Sequence, residues 1–136
     1  MNKNIFWNRI AIVVAFFLGF AGIMHFASPE FFNDIVPPWL PPSEAFWTYV
    51  SGLAEITVSI LLFRRSTRRI GALLAVALFI AVYPANIYMT WDWRNEVASQ
   101  QFISWIRLPF QFVFIWAAWR IAQANTERPI MPGDIT

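Results

Sequence analysis

The sequence predicts an all-α protein: an antiparallel bundle of four transmembrane helices, N-in and C-in, with a Pro-rich outer loop between the first and second helices. Three observations lead there. Hydrophobic residues make up 58% of the chain and charged residues only 13%, against about 25% charged in ordinary soluble domains. Four apolar stretches, at residues 10–27, 45–63, 70–89 and 102–122, are each about 20 residues long, and about 20 helical residues cover a hydrocarbon core of ~30 Å. Basic residues collect on alternate connections. The spans must be helices, because a backbone in lipid has to satisfy its own hydrogen bonds. A chain of 136 residues holds one such domain.

The first stretch follows Lys3 and Arg9, as the core of a signal peptide would. Its length and the absence of a small-x-small pattern around Met24-His25-Phe26-Ala27 favour a retained span. The loop at 28–44 carries Glu30, Asp34 and Glu44 and no Lys or Arg. Within it, Ile35-Val36-Pro37-Pro38-Trp39-Leu40-Pro41-Pro42 should be stiff and extended, since proline fixes φ and removes an amide donor. Phe31, Phe32, Ile35, Val36, Trp39 and Leu40 are too apolar for a free loop. They suit a lid dipping into the outer face, or a plain interfacial anchor. Ser43 is placed to N-cap the second helix.

The second connection, 64–69, has four arginines in six residues. So short a hairpin sits against the membrane, where it acts as a topology signal with some affinity for anionic headgroups and not as a nucleic-acid site. The third connection, 90–101, holds Asp92, Arg94 and Glu96, and the polar tail at 123–136 has no periodicity and should fray. Lys3, Arg9, the four loop arginines, Arg120 and Arg128 fall on one side, and only Arg94 and Arg107 on the other. The positive-inside rule then puts both termini in the cytoplasm. Trp7, Trp39, Trp47, Trp91, Trp93 and Trp105 fall near span ends, as an aromatic belt requires.

Lipid tails give helices no hydrophobic reason to associate, so small and polar residues must hold them. Each span has such a stripe: Ala11, Ala15, Leu18, Gly22 and His25; Ser51, Glu55 and Ser59 beside Gly52; Gly71, Ala75, Leu78, Val82 and Asn86; Arg107, Gln111 and Ala118. Turned inward, the four stripes make one bundle, leaving Phe16, Phe17, Phe79 and Phe110 toward lipid. Five polar residues then converge on the outer half: His25, Glu55, Asn86, Arg107 and Gln111. Glu55 lies about 15 Å deep, near the midplane, with Gln111 level with it and the others nearer the outer surface. Each ionisable group within a span costs about 2.5–3.5 kcal/mol on insertion scales. A Glu55–Arg107 pair, helped by the other three, is the economical arrangement. Pro84 and Pro109 each free a carbonyl one turn earlier, near Asn86 and Arg107. Such a cluster serves either as a ligand or proton site or as interhelical glue at ~0.6 kcal/mol per hydrogen bond.

The chain has no cysteine and one histidine. That removes disulfides, thiol chemistry, Cys-ligated metal and a His-rich metal site. No flavin motif is visible.

The same residues carry a resemblance. Gly22-Ile23-Met24-His25-Phe26, Pro29-Glu30-Phe31-Phe32, Ile35-Val36-Pro37-Pro38-Trp39-Leu40-Pro41, Ser51-Gly52-Leu53-Ala54-Glu55, Tyr83-Pro84-Ala85-Asn86-Ile87 and Trp105-Ile106-Arg107-Leu108-Pro109-Phe110-Gln111 resemble DoxX-like (DoxX/DoxD-type) membrane proteins over nearly the whole chain. The resemblance implies a four-helix protein of a bacterial cytoplasmic (inner) membrane. The DoxD type implies a quinone-linked subunit of a membrane oxidoreductase, with a membrane or periplasmic redox partner supplying electrons, since this chain shows no redox group of its own. The four-span layout is also similar to quinone-reactive disulfide enzymes, whose chemistry needs the cysteines this chain lacks. Three functions follow as expectations: a redox- or quinone-associated subunit, a scaffold or assembly factor without chemistry, and a small proton-coupled transporter acting as a homodimer with Glu55 as proton carrier.

Overall fold

The computed structural model describes residues 2–126. Four long helices run through it: α1 (Lys3–Ala27), α3 (Glu44–Phe63), α4 (Arg68–Asp92) and α5 (Ala98–Ala124). A short helix, α2 (Pro29–Asn33), lies between α1 and α3, and a 3-10 turn (Trp93–Asn95) joins α4 to α5. Each long helix contains one of the apolar stretches and extends it into flanking polar residues. Of the tail expected to fray, residues 123 and 124 finish α5, and 127–136, with Arg128, lie outside the described residues.

Local chemistry sets the ends. Asn2 Oδ1 accepts from Asn4 N at 3.1 Å to start α1. Ser43 Oγ accepts from Phe46 N at 3.2 Å to start α3, as its position before the apolar run predicts. The α3–α4 turn is closed by Arg68, which is almost fully buried. Its Nε donates to Leu62 O at 2.8 Å and its Nη2 to Phe63 O at 3.0 Å, capping the carbonyls that end α3. Its Nη1 donates to Asn8 Oδ1 of α1 at 3.1 Å. One of the four loop arginines is therefore an internal clamp, which the charge count alone does not reveal.

The helices pack antiparallel in a closed ring, α1 against α3, α3 against α4, α4 against α5 and α5 against α1. All four are long and apolar enough to cross a membrane, and only 22–33% of each apolar window is buried inside the bundle. The rest is exposed apolar surface such as Phe16, Phe20, Phe102, Phe112 and Trp116. That surface would aggregate in water and is at home in lipid. The molecule is a small four-span membrane protein.

The inward stripes are those the spacing indicates. Ala11, Ala15, Leu18, Gly22 and His25 are buried on α1, Gly52 and Ser59 on α3, Gly71, Ala75 and Asn86 on α4, and Gln111 and Ala118 on α5. Phe16, Phe17 and Phe110 are exposed, but Phe79 is not: only 6% of its surface is accessible. It follows Ala75 by one turn on the inward stripe, and its ring stacks on Phe114 at 5.4 Å, filling space that the alanines leave. The apolar core, from Trp7, Ala11 and Leu18 to Leu62, Ala75 and Ile121, fills the half of the bundle where α1 begins and α5 ends. Polar residues occupy the other half.

The closest approach is between α1 and α3. A Cβ on Gly22 would stand 2.8 Å from Gly52 O, and one on Gly52 would stand 2.6 Å from His25 Cβ. Neither position has room for a side chain while the helices stay where they are. Ser59 Oγ donates to Ala15 O at 2.6 Å, pinning the same pair two turns further along. Gly52→Ala should therefore force α1 from α3 at a cost of ~1–3 kcal/mol, read as a lowered unfolding temperature in detergent. Leu53→Ala, on the exposed side of α3, should leave it nearly unchanged. Equal stability of the two variants would dismiss the close contact as a structural requirement.

Candidate functional site

The stripe that packs α1 on α3 also delivers His25 to Glu55. His25 Nδ1 lies 2.7 Å from Ala21 O, one turn back in α1, and 3.3 Å from Glu55 Oε2. The shorter contact assigns the Nδ1–H to the Ala21 carbonyl. Glu55 is thus held at ion-pair distance without a good hydrogen bond, and its buried Oε2 has no hydrogen-bond partner. This corrects the pairing expected from sequence. Glu55 sits beside His25, not in contact with Arg107, because the Gly22–Gly52 contact fixes α1 against α3 while Arg107 stands on α5 across the bundle.

Arg107 is directed inward. Its Nη1 donates to Met89 Sδ at 3.7 Å, a weak acceptor for a guanidinium. Glu55, His25 and Arg107 are near enough for the guanidinium charge to act on both other groups. Asn86 and Gln111 form a separate chain between α4 and α5: Asn86 Nδ2 donates to Gln111 Oε1, and Gln111 Nε2 donates to Phe79 O. Thr90 Oγ1 lies 2.9 Å from Asn86 O and 3.1 Å from Ser104 O, so its one proton is shared between the two helices. Pro84 and Pro109 leave the carbonyls of Ile80 and Trp105 without their helical donors. The side chains reach Phe79 O and Ser104 O instead, each one residue before the freed group, where the interrupted ladder opens the helix to a neighbour.

These groups surround one cavity of about 190 Å³. His25, Glu55, Asn86, Arg107 and Gln111 all line it, from four helices, so the five residues singled out by their depth in the spans do meet around one space. Phe17, Phe79, Phe110 and Phe114 provide apolar walls. Phe17 and Phe110 are also about half exposed on the outer surface of the bundle, so this wall borders the region lipid would occupy.

The roof comes from the 28–44 connection. Its start is helical, because Pro29 opens α2 with its fixed φ and no amide to satisfy. The Pro37–Leu40 segment turns back on itself, Leu40 N donating to Pro37 O at 3.0 Å. Phe32 lies flat on the His25 ring, 3.7 Å between centroids at 22°, and Ile35 and Val36 close the cavity beside it. Thr48 Oγ1 donates to Asn33 Oδ1 at 2.7 Å and Trp47 Nε1 to Pro41 O at 2.9 Å, tying the roof to α3. Trp39 and Phe31 remain exposed. The segment covers the cavity with its inner face and leaves aromatic side chains exposed on its outer one.

Ser51, already on the inward stripe of the second span, also lines the cavity, as does Thr48, which the sequence reading leaves out. Both continue the Glu55–Ser59 stripe toward the N-terminus of α3 at helical spacing, so the signal was present in the sequence. Nothing local marked Met89 as the neighbour of Arg107, or Asn33 as the acceptor for Thr48.

Residues 14–122 match the profile of DUF8561, a domain of unknown function. No curated protein matches, and no solved structure does. The match covers all four long helices in whole or large part and all five polar residues, and it attaches no activity to them.

The Asn86–Gln111 contact is testable by a double-mutant cycle, with Asn86→Leu and Gln111→Leu measured singly and together by unfolding in detergent. A favourable coupling of ~0.6–1.7 kcal/mol is expected, the range for hydrogen bonds between helices in membranes. Strict additivity would mean that the two amides do not hold α4 to α5.

Proposed function

The chain belongs to the DUF8561 family, and we propose that it is a quinone-associated membrane subunit: it holds the ring of a bilayer-soluble quinone or quinol in the cavity under the lid. One observation carries this reading. The same cavity contains a buried carboxylate oxygen without a hydrogen-bond donor and a guanidinium whose contact there is a thioether sulfur. Buried polar groups are ordinarily satisfied. The quinol form would supply both partners, with Arg107 donating to one ring oxygen and Glu55 accepting from a hydroxyl. A volume of about 190 Å³ is in the range that accommodates a single ring, since an apolar cavity of ~150 Å³ takes up benzene. Phe32, Phe79 and Phe114 offer faces for stacking. An isoprenoid tail would leave past Phe17 and Phe110 toward lipid.

On this reading the lid end faces the exterior, both termini face the cytoplasm, and a membrane or periplasmic redox partner delivers electrons. The DoxX-like resemblance of the segments around His25, Glu55, Asn86 and Arg107 supports the same assignment. His25 positions Glu55 and carries Phe32 of the lid. Asn86 and Gln111 hold α4 and α5 at the width the ring needs.

The test is titration of the purified protein in nanodiscs with a short-chain benzoquinol, kept reduced under anaerobic conditions, followed by quenching of tryptophan fluorescence. Trp47 lines the cavity, so Trp47→Phe should reduce the quench. Saturable binding is expected, weakened ~10–100-fold by Arg107→Gln and by Glu55→Gln, each of which removes one hydrogen bond involving a charged group. Absence of saturation, or affinity unchanged in both variants, rejects the assignment. A scaffold would instead show these variants losing partner capture while quinol has no effect on any of them.

A further inference from the structure

The arginines at 64–69 divide into two kinds. Arg68 is buried and committed to Leu62 O, Phe63 O and Asn8 Oδ1. Arg65 and Arg69 are exposed, and they border a second cavity at the opposite end of the bundle from the lid. It measures about 270 Å³ and is built from three places in the chain: Asn4 and Asn8, one turn apart near the start of α1; Arg65, Ser66 and Arg69 at the α3–α4 turn; and Asn125, just past α5. No acidic side chain among the described residues borders it.

The hydrogen bonds already made determine what this wall can offer. Asn8 Oδ1 accepts from Arg68, so its amide nitrogen is the end left to donate. The Asn4 side chain makes no hydrogen bond among the described residues, and its own backbone N–H is held by Asn2 Oδ1. With the Ser66 hydroxyl and two guanidiniums, the wall is a set of donors carrying two positive charges, matched to the oxygens of a phosphate. Asn125 differs: its Nδ2 donates to Ile121 O at 2.8 Å, which leaves its oxygen as an acceptor. A phosphate oxygen gains nothing there, but a hydroxyl four or five bonds from the phosphorus would. The volume exceeds the ~30 Å³ share of one water several-fold, so a phosphate and a short polyol fit together.

We propose that this cavity binds a phosphate diester or ester with a neighbouring hydroxyl, Arg65 and Arg69 clasping the phosphate and Asn125 accepting from the hydroxyl. The cavity lies where the apolar helix surfaces end, which is the depth of lipid headgroups. The same chemistry is present in a phosphatidylglycerol headgroup and in soluble glycerol phosphate. The site is separate from the cavity under the lid, and neither depends on the other.

The experiment compares wild type with Arg65→Gln/Arg69→Gln, which keeps the Arg68 clamp, and with Asn4→Asp, which places a carboxylate where the phosphate would lie. Each is held in phosphatidylcholine nanodiscs, and unfolding temperature and bound lipid by native mass spectrometry are measured in three conditions: with phosphatidylglycerol added, with soluble glycerol phosphate added, and with sodium chloride at matched ionic strength. Wild type should retain phosphatidylglycerol over phosphatidylcholine, or be stabilised by glycerol phosphate beyond the salt control. The first result identifies a lipid headgroup as the ligand and the second a soluble ester. Both variants should lose at least tenfold in that preference, and Asn4→Asp, which touches no arginine, covers the case in which the double variant folds poorly. Wild type responding in neither arm, or both variants responding as wild type does, would leave the arginines with no role beyond topology and overturn the proposal.

Discussion

The contact of α1 with α3 at Gly22 and Gly52 is the constraint from which the rest of the bundle follows. In lipid, helices gain nothing by hiding apolar surface from one another, so association depends on backbones coming close enough for dense packing and polar contact. Two glycines facing one another remove the side chains that would hold the helices apart, and Ser59 adds a hydrogen bond to Ala15 O. Once that distance is set, His25 has one place to go, between Ala21 O and Glu55. The lid then lands on the imidazole through Phe32. The opposite wall is held differently: α4 and α5 are tied by side chains, Asn86 donating to Gln111, Gln111 to Phe79 O and Thr90 to Ser104 O. The cavity is the space between a pair of helices in close contact and a pair bridged by amides.

This division explains why one half of the bundle is solid and the other hollow. Alanines at positions 11, 15, 72, 75 and 118 are fully buried beside Leu62 and Ile121, and together they fill the end where α1 begins. Beyond Phe79 the inward residues turn polar, and their hydrogen bonds to one another leave Glu55 and Arg107 incompletely satisfied. A sequence selected for stability alone has little reason to keep such groups, because a half-satisfied polar cluster is worse than an apolar one. That cost is the physical argument for a ligand.

Most of the architecture was legible because lipid leaves the chain few options. Hydropathy located the four helices, four-residue spacing located the inward stripes, and Ser43 marked the start of α3. The depth of each polar residue in its span was enough to gather His25, Glu55, Asn86, Arg107 and Gln111. Pairing was not legible, since it depends on how far each helix is rotated and how closely two helices approach. Glu55 met His25 because of two glycines on neighbouring helices. Phe79 was misjudged by its bulk, although its spacing from Ala75 pointed inward. The lid was misjudged by its prolines: the Pro37–Leu40 segment, expected to be stiff and extended, folds into a turn. Arg68 looked like its neighbours in the count of charges, and only the geometry of the α3 end separates a clamp from three exposed guanidiniums.

The arrangement also bears on which activities the fold can support. A conduit for protons or solutes needs polar groups or water along its whole length, in at least one arrangement of the bundle. Here the polar lining begins under the lid and stops near Gln111. Ser59, the next inward polar side chain along α3, is occupied by Ala15 O, and beyond it stand Leu62, Ala72, Ala75, Ala118 and Ile121 with no accessible surface. The second cavity opens at the far end of that packed layer and is lined by a different set of groups. Opening a path between the two would mean separating a packed layer to which α1 gives Ala11 and Ala15, α3 Leu62, α4 Ala72 and Ala75, and α5 Ala118 and Ile121. Glu55 is therefore placed to accept a hydrogen bond from something held beside it, and poorly placed to pass a proton onward. The packing keeps the two cavities apart, each with its own lining.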